Sequence, residues 1–325
     1  MEKAQARYDV LVLGLGAAAH GAALYAARYR VSVAMFGARF GGETATGSLI
    51  ENYPGFLGID GFELMLKMKE QVDALGVPTI AEDVEELRKE GDCFLARAGD
   101  QWYEGQAVVY AIGRERRRLG LPREEELTGK GISYCSTCDA PLYKGKRAAV
   151  VGGGDAALKG ALLLARYASQ VFIIYRGREF VRPEPIAVER ARQTPNLSAI
   201  FEANVVRLEG DRELAGVALD REVNGSRQLT VDGLFIEIGA EPRTHLVRPL
   251  GVALNEAGEV VVDRLMGTSV PGLFGAGDVT DASGDLKQTV TAAAQGAIAA
   301  TSAYRFVSLH PDACGYHAGA FNIEG

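Results

Sequence analysis

Cys135-Ser136-Thr137-Cys138-Asp139 is the segment of this 325-residue chain whose residue types and spacing bear most directly on chemistry. Two cysteines separated by two residues can close a small disulfide. Thiols in such pairs often ionise below the free value of about 8.5. Redox exchange is therefore the first reading. Asp139 places a carboxyl group beside the second sulfur, where it can carry a proton to or from a departing thiolate; the plainer reading is a solvated turn residue. Zinc competes for any C-x-x-C pair, but a structural zinc site takes four ligands, usually from a second such pair or nearby histidines. Cys93 and Cys314 stand alone in sequence and the four histidines are scattered. No metal is expected, and Cys93 and Cys314 are read as free thiols.

The elements around this pair carry a nucleotide-binding signal twice. Tyr8–Leu13 is an apolar run of strand length, followed by Gly14-Leu15-Gly16-Ala17-Ala18-Ala19, a helical stretch to Tyr29 and a second strand from Val31 to Phe36. In such a turn Gly14 permits the tight bend, Gly16 lets a pyrophosphate approach the backbone, and Ala19 allows close helix–strand packing. The helix N-terminus, at Ala17 and Ala18, offers N–H groups to phosphate. The second copy runs from the strand Ala148–Val151 through Gly152-Gly153-Gly154-Asp155-Ala156-Ala157 to a helix up to Tyr167 and a strand Gln170–Tyr175. One such match is weak; two, each between a strand and a helix, predict two Rossmann-like dinucleotide-binding domains in an α/β fold. The ribose-binding acid expected about 20 residues beyond each turn is missing, since Phe36 and Tyr175 occupy those places.

Composition fits a globular protein, with 47% hydrophobic and 24% charged residues. Its 40 glycines exceed ordinary usage of about 7%. A net charge of -7 argues against nucleic acid or anionic membrane as a partner. Val10–Ala27 superficially resembles a signal peptide, but His20 and regularly spaced glycines suit the nucleotide turn better. No other stretch offers about 20 uninterrupted apolar residues, so no transmembrane segment is expected and a cytoplasmic location is.

From about Tyr8 to Tyr304 the sequence resembles the low-molecular-weight thioredoxin reductase family. Gly41-Gly42-Glu43, Thr46 and Glu51-Asn52-Tyr53-Pro54-Gly55 resemble its flavin-contacting loop. Ala111-Ile112-Gly113 and Ile238-Gly239-Ala240-Glu241-Pro242 resemble its two interdomain crossings. Gly275-Ala276-Gly277-Asp278-Val279 resembles its second FAD fingerprint, and Lys287-Gln288-Thr289 its contact with the flavin end. The resemblance implies two three-layer ββα domains, the second inserted into the first. The FAD domain would take residues 1–114 and 245–305, the redox domain 115–244, and a tail 306–325. It also implies FAD held by Asp278 at its ribityl chain, a Cys135–Cys138 disulfide facing the flavin, a homodimer, and a thioredoxin-like or other dithiol partner.

Departures from the family pattern shape the remaining expectations. Glu43 replaces a glutamine. The NADPH signature, His-Arg-Arg followed by Phe-Arg, reads here Tyr175-Arg176-Gly177-Arg178-Glu179-Phe180-Val181-Arg182. Arg176 stays in register, whereas Gly177 and Val181 replace two arginines, and each charged hydrogen bond lost costs about 1.5–3 kcal/mol. The turn with Gly153, Gly154, Asp155 and Ala156 is kept. Retained pyrophosphate chemistry without the 2'-phosphate arginines points to the branch of diflavin-linked disulfide oxidoreductases, with a second FAD and NADPH unsuited as donor. Tyr175, Tyr316, His317 and Phe321 would supply stacking surface. The alternatives are an NADPH-dependent reductase whose Arg178 and Arg182 adapt to the phosphate, a ferredoxin-linked reductase, and a non-enzymatic flavin sensor.

Overall fold

Strand β1 (Ala6–Leu13) buries Val10, Leu11, Val12 and Leu13 completely. Burial on both faces is what a central parallel strand requires, and it accounts for the unbroken apolar run that mimics a leader. The computed structural model describes residues 4, 6–46, 49–284, 286–311 and 314; Tyr316, His317 and Phe321 lie outside them. The chain divides into two compact units, one running to Arg114 and resuming at Pro242, the other Glu115–Glu241.

In the first unit, helix α1 (Ala17–Arg28) follows β1, then β2 (Val33–Phe36), α2 (Gly42–Ala45), the short hairpin β3 (Leu49–Ile50) and β4 (Ile59–Asp60), α3 (Gly61–Asp73), and β5 (Thr79–Ile80). Strands β6 (Val84–Glu90), β7 (Cys93–Ala98) and β8 (Gln101–Tyr110) form a meander. Strand β9 (Arg114–Arg116) leads out of this unit. The sheet order is β5-β2-β1-β8-β7-β6. Strands β2, β1 and β8 are parallel, while β7 pairs antiparallel with the first half of β8. One sheet face carries the alanine-rich α1 and Met65 and Val72 of α3; the other packs Leu11, Leu13 and Phe36 against Leu87 and Phe94.

The second unit has α4 (Glu124–Leu127), β10 (Ile132–Ser133), α5 (Ser136–Asp139), β11 (Arg147–Val151), α6 (Asp155–Ala165), β12 (Gln170–Tyr175), α7 (Pro185–Gln193) and β13 (Leu197–Phe201). Strands β14 (Val205–Glu209), β15 (Gly216–Val223) and β16 (Ser226–Leu229) form an antiparallel sheet. Strand β17 (Gly233–Ile236) completes a parallel five-stranded sheet in the order β10-β17-β11-β12-β13. Leu158, Ala161 and Leu164 of α6 cover one face, and Val205, Val217 and Leu219 of the small sheet cover the other. Strand β18 (Ala240–Pro242) returns beside β9. The first unit then adds β19 (Leu273–Gly275), parallel to the end of β8, and α8 (Thr289–Leu309). The fold is thus α/β, with two Rossmann-like ββα units, one inserted into the other.

Two expectations change. Cys93 and Cys314 are not free thiols: they are joined in a disulfide with Cα atoms 5.3 Å apart, tying β7 to the chain beyond α8. Sequence separation hides a pair that only the tertiary fold brings together. The two turns are also out of step by one residue. Leu13 pairs with Phe36, but Val151 pairs with Ile174, so Tyr175 corresponds in space to Gly37. The packing is reciprocal. In the first unit Leu15 fills the space where a Cβ on Gly37 would lie 2.9 Å from its side chain. In the second, the Tyr175 ring fills it and a Cβ on Gly153 would lie 2.3 Å from that ring.

Candidate functional site

In the first unit a cleft of about 310 Å³ opens over the β1–α1 turn. Gly14, at φ +121°, could not carry a side chain, because a Cβ would lie 2.3 Å from the Ala111 carbonyl oxygen. Gly16 is the opposite case: its Cβ would meet nothing within 4 Å. It is absent from a place where a ligand can approach the backbone. No side chain caps α1 at Gly16, so its first N–H groups face the cleft's glycine turn, an arrangement suited to phosphate.

Four other segments complete the walls. Gly42, Glu43 and Thr44 come from α2; Ala111, Ile112, Gly113 and Arg114 follow β8. Gly277 and Asp278 follow β19, and Lys287, Gln288 and Thr289 open α8. Burial pushes the Asp278 carboxyl above the usual carboxylate range, with Lys287 and Arg114 pulling the other way. Lys287 and Arg114 each pair with Glu259 at 3.0 Å. Glu43 lies 3.6 Å from Arg39.

Among the remaining expected residues, Ala17 and Ala18 line the cleft, whereas Phe36 is a core residue packed edge-on to Tyr103. Gly41 shapes the entry to α2 at φ +76°, and the Thr46 hydroxyl donates to the Glu43 carbonyl. Asn52 donates to the Gln288 side chain at 3.2 Å. The sequence reading missed Arg39, Asp83 and Arg243, all in the cleft wall. Asp83 accepts the Ala38 N–H at 3.0 Å and lies 3.7 Å from Arg243. It supplies a carboxylate at the side of the turn, from the segment after β5, where no fixed spacing from Gly14 would find it. A tight turn at Gly14, an open Gly16 that lets a pyrophosphate reach the backbone, uncapped helix N–H groups and a partly buried Asp278 fit FAD.

The second turn keeps the same construction. Gly152, at φ +142°, would place a Cβ 2.1 Å from the Glu237 carbonyl oxygen, while Gly154 again opens onto empty space. Asp155 accepts the Glu184 N–H at 2.8 Å and Ala156 is exposed. The Tyr175 ring stacks on Phe180 with centroids 5.8 Å apart. Arg176, Arg178 and Arg182 are all exposed, and Arg178 pairs with Glu202 at 3.1 Å.

Cys135 and Cys138 form a disulfide in this unit. Cys135 caps α5, its Sγ accepting the Cys138 N–H at 3.2 Å, which favours negative charge on that sulfur. Asp139 is half-buried at the end of the same turn. Just ahead, Tyr134 donates to Glu124 at 2.5 Å, and burial together with that carboxylate pushes the phenol up to about 12. Burial alone would raise Glu124, but Tyr134 and the N–H groups of Leu119, Gly120 and Leu121 hold its carboxyl below the usual range. Among the described residues, Cys93, Cys314 and Glu104 form the one group with metal-ligand proximity. Both sulfurs are in a disulfide, however, and metals bind thiolates.

Two dinucleotide turns and a C-x-x-C disulfide define a flavoprotein disulfide oxidoreductase with a redox-active cysteine pair. Residues 8–296 match the family described as pyridine nucleotide-disulphide oxidoreductase, and the chain belongs to that family. Within it the chain is of the thioredoxin reductase kind. It is 39% identical to the thioredoxin reductase of Mycolicibacterium smegmatis over 95% of this chain and 99% of that one. The thioredoxin reductases of Lactococcus lactis and T. acidophilum superpose with TM-scores of 0.88 and 0.86, at 33% and 36% identity. They cover 93% and 92% of this chain and 99% and 98% of theirs.

These similarities correct three expectations. The assignment to a pyridine-nucleotide-independent, diflavin branch is overturned by the family match and by relatives that are thioredoxin reductases. With it go the second FAD and the reading of NADPH as unsuited. The physical reason is visible in the turn. Gly177 is required by packing, since a Cβ there would lie 2.6 Å from the Tyr175 ring. Glycine at 177 goes with the ring beside it, and three exposed guanidinium groups, of Arg176, Arg178 and Arg182, remain on the same segment.

Proposed function

We propose that the chain is an NADPH-dependent thioredoxin reductase that uses Cys135–Cys138 as its redox pair. The observation carrying this reading is a C-x-x-C disulfide held in the same unit as an intact, open glycine turn. Bound FAD would supply the two-electron link between a nicotinamide and a disulfide. The first turn, Asp278 and Lys287 would hold FAD; Gly154 and the guanidinium groups of Arg176, Arg178 and Arg182 would hold the pyridine nucleotide.

Two electrons entering the Cys135–Cys138 bond leave a thiolate on one sulfur and, after protonation, a thiol on the other. Cys138, beside Asp139, is assigned to the flavin, with Asp139 moving the proton. Cys135, whose Sγ receives an N–H, is assigned to attack the partner's disulfide, forming a mixed disulfide and releasing one partner thiol; Cys138 then attacks Cys135, re-forming their disulfide and releasing the partner as a dithiol. Cys93–Cys314 is the other disulfide, but the family match ends at residue 296, before Cys314. A thioredoxin-like partner follows from the same reading, as does a homodimer covering the exposed Leu49, Leu57 and Phe62. A cytoplasmic setting, where NADPH and reduced dithiols are available, belongs to it as well. No helix among the described residues is long and apolar enough to cross a membrane.

Anaerobic mixing with NADPH tests the proposal. The flavin absorbance should bleach rapidly, and a thioredoxin disulfide should be reduced on further turnover. A Cys135→Ser variant should still be bleached by NADPH but lose nearly all dithiol transfer. A flavin that NADPH leaves oxidised would sink the donor assignment.

A further inference from the structure

Glu237 stands where three functional parts of the second unit meet. It directly follows β17, and its backbone carbonyl is the atom against which Gly152 of the nucleotide turn is packed. Its carboxylate accepts the Ser136 hydroxyl at 3.2 Å, and Ser136 is the buried residue next to Cys135 in the redox turn. Both carboxylate oxygens also lie 3.3 Å from Nη1 of Arg116, on β9 at the outgoing crossing. The pair is shielded, with side-chain exposures of 8% for Glu237 and 22% for Arg116.

We propose that Glu237 is a positioning residue for the redox pair: with Arg116 and Ser136 it sets the thiol–disulfide equilibrium of Cys135 and Cys138. The inference rests on the reading that these two cysteines are the redox pair. Reduction of the disulfide takes up two electrons from a dithiol, which becomes a disulfide, and it creates negative charge on a thiolate beside Ser136. The stability of that thiolate depends on nearby charge. In the native cluster the carboxylate cancels the guanidinium and holds Ser136 in one place. Removing either charge changes the net charge of this partly desolvated cluster by one unit, and charge is felt more strongly there than in water. The two removals act with opposite sign, which loss of packing alone would not produce.

The experiment equilibrates the full-length holoenzyme in oxidised and reduced dithiothreitol, traps thiols with an alkylating agent, and reads Cys135 and Cys138 by peptide mass. Glu237→Gln makes the cluster more positive by one charge and should shift the equilibrium about tenfold towards the dithiol. Arg116→Met makes the cluster more negative by one charge and should shift it about tenfold the other way, whereas Arg116→Lys should restore the native value. Equilibria within twofold of wild type in both charge-removing variants, or shifts of the same sign, overturn the inference. If Glu237→Gln does not fold, the comparison of Arg116→Met with Arg116→Lys decides alone: a value for Arg116→Met equal to Arg116→Lys rejects the idea. A wild-type pair that never exchanges with dithiothreitol would reject the redox assignment itself, a separate result.

Discussion

Gly16 and Gly154 share a property that separates binding from folding. Each has extended backbone dihedrals that any residue can adopt, and each would project a side chain into open space. Gly154→Val should therefore fold normally and keep its flavin, while the KM for NADPH rises at least tenfold, since a pyrophosphate and an isopropyl group cannot share the site. Steady-state kinetics with flavin content measured in parallel would check this; unchanged KM would mean the turn does not hold the nucleotide. His20 gives a pH prediction. Its ring is buried, Nδ1 lies 3.0 Å from the Gly16 carbonyl, and burial holds its pKa below the ordinary value. The unfolded chain binds a proton near pH 6.5 and the folded chain does so only at lower pH. Stability from this residue is present above about pH 6.5 and is lost as pH falls towards the folded value. Urea titrations at pH 7.5 and 5.5 should show a loss that shrinks in His20→Asn, and an equal loss in both proteins would contradict the assignment.

At the level of elements, α1 and α8 approach so closely that no larger residue fits between them. A Cβ on Gly296 would lie 2.0 Å from the Ala18 carbonyl oxygen, and one on Gly21 would lie 2.4 Å from that of Ala293. Both contacts are to backbone, which cannot swing aside. Gly296→Ala should cost about 2–3 kcal/mol and release flavin more readily, because these two helices bear Ala17 and Ala18 on one wall of the cleft and Thr289 on another. Urea unfolding and the ratio of flavin to protein absorbance would measure both. The strand–turn–helix–strand units were legible in the sequence because their apolar runs and glycines obey local rules. Element ends were less so: β2 begins at Val33, not Val31, and α8 extends to Leu309. The four-residue α5 carries no periodic signal of its own. Asp83 and Glu237 were invisible for a different reason. Each meets partners that arrive from distant parts of the chain, Arg243 for Asp83 and Arg116 and Ser136 for Glu237, and no spacing along the chain encodes that meeting. The altered NADPH signature misled for a related reason, since the packing of the Tyr175 ring over Gly177 could be seen only in space.

For the whole molecule, cysteine pairing makes a simple prediction. All described cysteines are bonded, Cys93 to Cys314 and Cys135 to Cys138. Oxidised protein unfolded in guanidinium should show close to no thiols with a colorimetric reagent; two per chain would mean that Cys93 and Cys314 are free. The insertion has a consequence in time. Strands β9 and β18 lie side by side, so the second unit begins and ends at neighbouring points and is a continuous stretch, whereas its host is interrupted. On the ribosome the inserted unit is complete once Glu241 has been made. The host still lacks β19, Asp278 and all of α8, which at about 5–20 residues per second arrive roughly 3–14 s later. The guest has every contact it needs while its host is still waiting for a helix, so the order of maturation runs from the middle of the chain outward: the cysteine-bearing unit takes shape first, and the cradle for the flavin closes last.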